Sequence, residues 1–247
     1  MTLEHQIHRA LWLTSIATQA VIAIVMVVKG LHKRLPYFFT YTAYIVLSSI
    51  AGYAMLPHPR VYFWGYWIQN LLSWALAFTA IYEIYASLLK EYSVLQKMGT
   101  YVFWVIGVLL VTIAVWTAFS QPGSDTSRVL QTFYTLERSV RIVECGLLLT
   151  LFIFASFFGL GWKNYLFGIA LGFSIFLSMQ LAAVAARAWF GARFDGLFSW
   201  LQQIAYAIGI LIWAFYIVKR TREADLRLLA KTQLAEWNET LQELLHR

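Results

Sequence analysis

Charge is scarce in this sequence: only 13% of its 247 residues are Asp, Glu, Lys or Arg. A water-soluble domain carries about a quarter charged residues because its surface has to be hydrated, so this composition belongs to the membrane class. Cysteine is scarcer still. Cys145 is the only one, which excludes an intrachain disulfide and any metal site built on several thiolates. The four prolines, Pro36, Pro57, Pro59 and Pro122, all fall at or between the ends of apolar runs, so the proline signal of the broken helices common in secondary transporters is missing. His5, His8, His32, His58 and His246 likewise lie outside those runs, which argues against bis-histidine haem ligation and histidine-dependent hydrolysis within a membrane. The last apolar run, 196–218, has no lysine to form a retinal Schiff base. No glycine-rich phosphate loop and no paired-aspartate motif occurs, and neither a catalytic group nor a metal centre is expected; the sequence leaves any cofactor unknown.

What is abundant is apolar and aromatic: 60% of residues are hydrophobic and 17% are Phe, Trp or Tyr. A helix needs about 20 mostly apolar residues to cross a bilayer. Seven runs qualify, at 10–28, 36–56, 62–89, 98–119, 129–159, 164–190 and 196–218. The expected fold is therefore all-α, a polytopic seven-transmembrane-helix bundle over residues 1–218. The first run is too long for a cleaved signal and lacks a small-x-small site after it, so it reads as a retained span. No connection is long enough to form a domain, and any ligand has to be handled inside the bundle, at its mouths or by a partner.

The formal charge of +7 is not a nucleic-acid signal, because the basic residues are spread over short loops and a tail. Their distribution is a topology signal instead. Lys29, Lys33, Arg34, Lys90, Lys97 and Lys163 fall on the same side as Lys219, Arg220, Arg222, Arg227, Lys231 and Arg247 of the tail, whereas the opposite side holds Arg9, Arg60, Arg128 and Arg193. The positive-inside rule then puts the N-terminus outside and the C-terminus in the cytoplasm. Residues 219–247 change character: Leu234, Trp237, Leu241 and Leu244 recur at three- and four-residue steps among charges, which predicts a cytoplasmic amphipathic or coiled-coil helix. It could lie on the inner leaflet, pair with a second copy or dock a cytoplasmic protein partner, and these readings stay open. In the sixth run Gly168 and Gly172 stand at GxxxG spacing, a face suited to close helix packing inside the monomer or to a homo-oligomer seam.

The fifth run is the exception to the scarcity of charge. Glu137 and Arg138 belong at the interface, but Arg141 and Glu144 lie about one and two turns inside it. Glu137, Arg141 and Glu144 share a helix face, so Arg141 can meet carboxylates at i−4 and i+3. Such a ladder lowers the cost of a central charge, about 2.5–3.5 kcal/mol each on insertion scales. It either pins the helix in register or serves a ligand. Gln69, Asn70, Gln180, Gln202 and Gln203 fall in the same outer half, and together with Arg138, Arg141 and Glu144 they outline a candidate ligand-binding pocket. The inner half offers Glu83, a candidate proton site, with Thr40, Tyr41 and Tyr44 as its expected hydrogen-bond partners. Gln19 stands alone near the middle of the first run.

The stretches LERSVRIVECGLLL, FTAIYEIY, LPYFFTYT and FGIALGF together resemble a group of uncharacterised seven-helix membrane proteins of bacteria such as Acidobacteria. That resemblance implies a bacterial inner-membrane location and brings no activity or site residue with it. The functional expectation is a sensor or receptor-like module, with an outward polar pocket, membrane lipids around it and a helical output in the cytoplasm. A transporter or channel using Arg141, Glu144 and Glu83 is one alternative, and a non-catalytic subunit of a larger membrane complex is another. An enzyme is the least favoured.

Overall fold

The computed structural model describes residues 3–88, 125–157, 165–190 and 196–218, with scattered positions between 100 and 116. All regular structure among the described residues is helical: α1 (Leu3–Val28), a 3-10 turn (Leu31–Lys33), α2 (Pro36–Met55), α3 (Pro59–Leu88), α4 (Asp125–Phe157), α5 (Tyr165–Phe190) and α6 (Gly196–Val218). Five of these contain a stretch long and apolar enough to cross a membrane: Arg9–Val28, Pro36–Met55, Pro59–Leu88, Tyr165–Ala186 and Gly196–Val218. Large apolar side chains such as Leu13, Leu47, Ile153 and Leu211 are about 60% exposed on the outside of the bundle, where only lipid would accept them in number. The chain is a multi-pass helical membrane protein.

The expected fifth run, 129–159, is covered by α4 up to Phe157, and its last two residues lie outside the described residues. The 33 residues of α4 span about 50 Å at 1.5 Å per residue, well beyond the ~30 Å hydrocarbon core, which accounts for the polar start of this helix. The expected fourth run, 98–119, lies mostly outside the described residues. Its described positions are helical, and Phe103 is buried against Phe78 and Tyr82 of α3, with ring centroids 4.1 and 5.1 Å apart. The tail helix expected at 219–247 lies outside the described residues.

Local chemistry sets the helix ends. Gly30 ends α1 at φ 64°, a left-handed conformation that an L side chain rarely adopts. Pro36 opens α2 at a position whose missing N–H is no loss, since the first turn has no intrahelical acceptors. Pro59 does the same for α3, which therefore starts three residues before the expected 62.

Packing closes the bundle around an aromatic centre. Phe38 and Tyr41 of α2, Phe173 of α5 and Trp213 of α6 meet at ring-centroid distances of 4.8–6.2 Å, and all four are buried. The Trp213 indole donates to the Ile169 carbonyl at 2.9 Å, as a buried indole N–H usually does with some acceptor. The GxxxG face is used inside the chain. A Cβ on Gly168 would collide with the Tyr216 ring, and one on Gly172 would stand 2.8 Å from the Gly209 carbonyl. Gly209 is the reciprocal partner, with its own Cβ position 2.9 Å from the Gly172 carbonyl. Close backbone contact of this kind is how helices cohere where water does not drive them together. Of the two uses expected for this face, packing inside the monomer is the one these contacts describe.

The two ends of the bundle are held differently. At one end the Lys29 ammonium donates to the carbonyls of Ile217 and Val218 at 3.2 and 3.3 Å, which ties the end of α1 to the end of α6. The two helices therefore run parallel. At the other end, where α1 begins, the helices part around a cavity.

Candidate functional site

Arg141 is the centre of this region. It projects from α4 with 5% of its surface exposed, and its Nη1 donates to Glu144 Oε2 at 2.9 Å. One helical turn separates the two, so the i+3 rung of the expected ladder forms from local geometry alone. The guanidinium carbon also lies 5.9 Å from the Trp74 ring of α3 and 5.9 Å from the Phe176 ring of α5. Two aromatic faces beside a desolvated cation lower the cost of its burial through their quadrupoles. Three helices thus hold one side chain. The accounting stays incomplete, however: Arg141 Nε and Glu144 Oε1 are buried and have no hydrogen-bond partner among the described residues.

Above Arg141 lies an open cavity of about 590 Å³, within the range of about 300–1,000 Å³ usual for small-molecule sites. Every described helix contributes to its wall. Arg9 and Trp12 come from α1, Tyr41 and Ile45 from α2, and Asn70, Ser73 and Ala77 from α3. Arg141 comes from α4, Phe176 and Gln180 from α5, and Ser199, Gln202, Gln203 and Tyr206 from α6. Gln202 Nε2 donates to Gln180 Oε1 at 3.4 Å, a long bond that leaves both amides with capacity to spare. Asn70 turns its amide onto the Tyr66 carbonyl of its own helix at 2.8 Å.

The structure brings Asn70, Arg141, Gln180, Gln202 and Gln203 together as the sequence suggests, and separates the other three expected members. Glu144 lies beneath the wall, fully buried, and reaches the cavity only through Arg141. Gln69 stands about 100° around α3 from Asn70 and faces α2: its carbonyl accepts from Tyr44 at 2.9 Å, and its side chain lies beside Gly52. Arg138 is exposed and contributes nothing to the wall, being one turn nearer the polar start of α4.

Two wall residues carried a signal that was assigned elsewhere, and a third carried none. Arg9 reads as a loop charge, but it stands inside the helical run at the cavity rim. Tyr41 reads as a partner for Glu83, but it forms part of the cavity wall, and Glu83 bonds the Tyr37 and Phe38 amides instead. Tyr206 is one of many aromatics in its run and nothing in the sequence marks it.

Glu83 has a different role from the one expected. Its Oε1 accepts from the Tyr37 N–H at 3.1 Å and its Oε2 from the Phe38 N–H at 2.8 Å. Thr40 bonds back to the Pro36 carbonyl and Tyr44 bonds to Gln69, so neither serves Glu83. A carboxylate from α3 thus caps the start of α2, where free amide donors and the helix dipole both favour a negative charge. Both oxygens are engaged in structural bonds.

Comparison of the chain with protein-family models, curated proteins and solved structures finds no match.

Proposed function

We propose that the chain is a seven-helix bacterial inner-membrane receptor-like module that binds a small anionic ligand in the cavity above Arg141. Seven crossings put the cavity mouth and Arg9 on the periplasmic side and residues 219–247 in the cytoplasm, where the tail is the output element. The observation that carries this reading is a buried guanidinium in the wall of an open cavity, with one of its nitrogens, Nη1, engaged by Glu144. Arginine suits carboxylate and phosphate because its planar fork donates two parallel bonds. The glutamines around it supply neutral donors, and Arg9 adds a second positive charge at the rim. The transporter reading has less support, because Glu83, its station toward the other end, is occupied by two backbone amides.

Thermal-shift screening of the detergent-purified protein against short carboxylates and phosphate monoesters tests the site. At least one of these anions is expected to stabilise wild type selectively. The shift is expected to be lost in Arg141→Lys, which keeps the charge and removes the fork, and reduced in Gln203→Leu. Absence of any selective shift would remove the receptor reading. Reporter fusions at both termini test the orientation, and cytoplasmic activity from the N-terminal fusion would turn the cavity to the wrong side for an external ligand.

A further inference from the structure

A second space adjoins the polar cavity on its α1–α2 side. A groove of about 330 Å³ lies there, and Arg9 and Trp12 belong to both spaces. Beyond those two residues the groove becomes apolar, formed by Leu13, Ile16, Ile50 and Tyr53. Ser49 adds a hydroxyl, but it donates to the Ile45 carbonyl of its own helix at 2.7 Å, so the groove offers no free donor there. Leu13, Ile50 and Tyr53 are 59–60% exposed, which places the groove on the surface that faces the hydrocarbon of the bilayer. A charged chamber and an apolar groove on the lipid-facing surface therefore adjoin at one arginine and one tryptophan.

We infer that the ligand is an anionic amphiphile: its head sits between Arg141 and Arg9, and its acyl chain leaves between α1 and α2 along this groove. The inference rests on the anion-binding reading above and names the class of ligand. A small hydrophilic anion has no use for an apolar groove beside its site, whereas an acyl chain has to remain in an apolar environment while its head is desolvated. Charge complementarity selects the head, since among the described residues the wall holds two arginines and no carboxylate. The wall order matches the molecule end to end: cation, amphipathic indole, then aliphatic side chains. Lateral entry also lets the ligand arrive from the leaflet without crossing water.

The probe is an alkyl phosphate carrying a diazirine at mid-chain, compared with the matching alkyl alcohol, on the full-length protein in nanodiscs. On irradiation the phosphate is expected to label peptides around Leu13–Ile16 and Ser49–Tyr53 about tenfold more than the alcohol does, as a charge-assisted head contact implies. Arg9→Gln is expected to remove that excess. Ser49→Trp, which fills the groove, is expected to abolish tail labelling while the thermal shift given by ethyl phosphate persists. Equal labelling by phosphate and alcohol, spread over the exposed faces of all the helices, would overturn the tail seat. In that case a retained ethyl phosphate shift leaves the anion site standing, and loss of both signals removes the site with the inference. The phosphate–alcohol comparison on wild type decides the matter even if Ser49→Trp does not fold.

Discussion

Glu83 and Glu144 are buried to nearly the same degree, 6% and 0% exposed, yet the two ends of the bundle use them in opposite ways. Toward the Lys29 end, Glu83 gives both oxygens to backbone amides of a neighbouring helix. Glu144 gives one oxygen to Arg141, and its other oxygen has no partner among the described residues. The Glu83 region is more fully paired: aromatic packing, a capped helix start and an ammonium on the last described carbonyls of α6 engage its charged groups, although the buried His32 Nδ1 has no partner among the described residues. The Arg141 region holds a cavity, a guanidinium with unused donor capacity and amides that barely reach one another. A buried charge by itself does not mark a functional site. What separates the two glutamates is whether the fold has already supplied their partners.

The largest test of that contrast is Arg141→Ala, which leaves Glu144 buried without its cation. It is expected to lower stability by about 3–5 kcal/mol, read by thermal or denaturant unfolding in detergent. The double substitution Arg141→Leu with Glu144→Leu should recover part of the loss, because it removes both charges together. Wild-type stability in Arg141→Ala would mean that Arg141 faces open water and that the two ends do not differ as described.

A smaller effect is expected at the more fully paired end. Glu83→Ala removes the acceptor for two first-turn amides, one of them buried, and should cost about 1–3 kcal/mol. Glu83→Gln keeps one acceptor oxygen and should fall between Ala and wild type. Hydrogen exchange at Tyr37 and Phe38 should quicken in both variants while exchange elsewhere in α2 changes little. Unchanged exchange at those two amides would show that the cap contributes nothing.

The smallest expected effect is a gain. Gln19 lies midway along α1 with no exposed surface, and neither its Nε2 nor its Oε1 has a partner among the described residues. Gln19→Leu should raise stability by about 1 kcal/mol, since it removes an amide whose desolvation is not compensated. A loss of stability instead would place Gln19 with the working polar groups around Arg141.

The local parts of this molecule were legible from the chain. The Arg141–Glu144 pair needs only a helix and a spacing of three, and both are present in the sequence. Span lengths follow from the thickness of a hydrocarbon layer, and Gly30, Pro36 and Pro59 mark ends that backbone sterics enforce. The polar residues of the cavity were legible as a set but not as a surface. Gln69 and Asn70 are neighbours in sequence and in depth, yet only Asn70 lines the wall, because 100° of rotation separates them.

The reason for that limit is physical. In water, an apolar stripe tells a helix which face to bury; in lipid, these helices are apolar all round and their sequences encode little about facing. Composition, the apolar helical spans and the i,i+3 ion pair were thus legible in the sequence itself, since each depends on neighbours along the chain or on the bilayer. Contacts between helices that are far apart in sequence decided the rest. Glu83 became a cap only because α3 brings it to the start of α2, and Gly172 closed a seam only because Gly209 lies opposite. Arg9, sixty or more residues from the nearest cavity residue of α3, became part of the site only because six helices leave a space beside it.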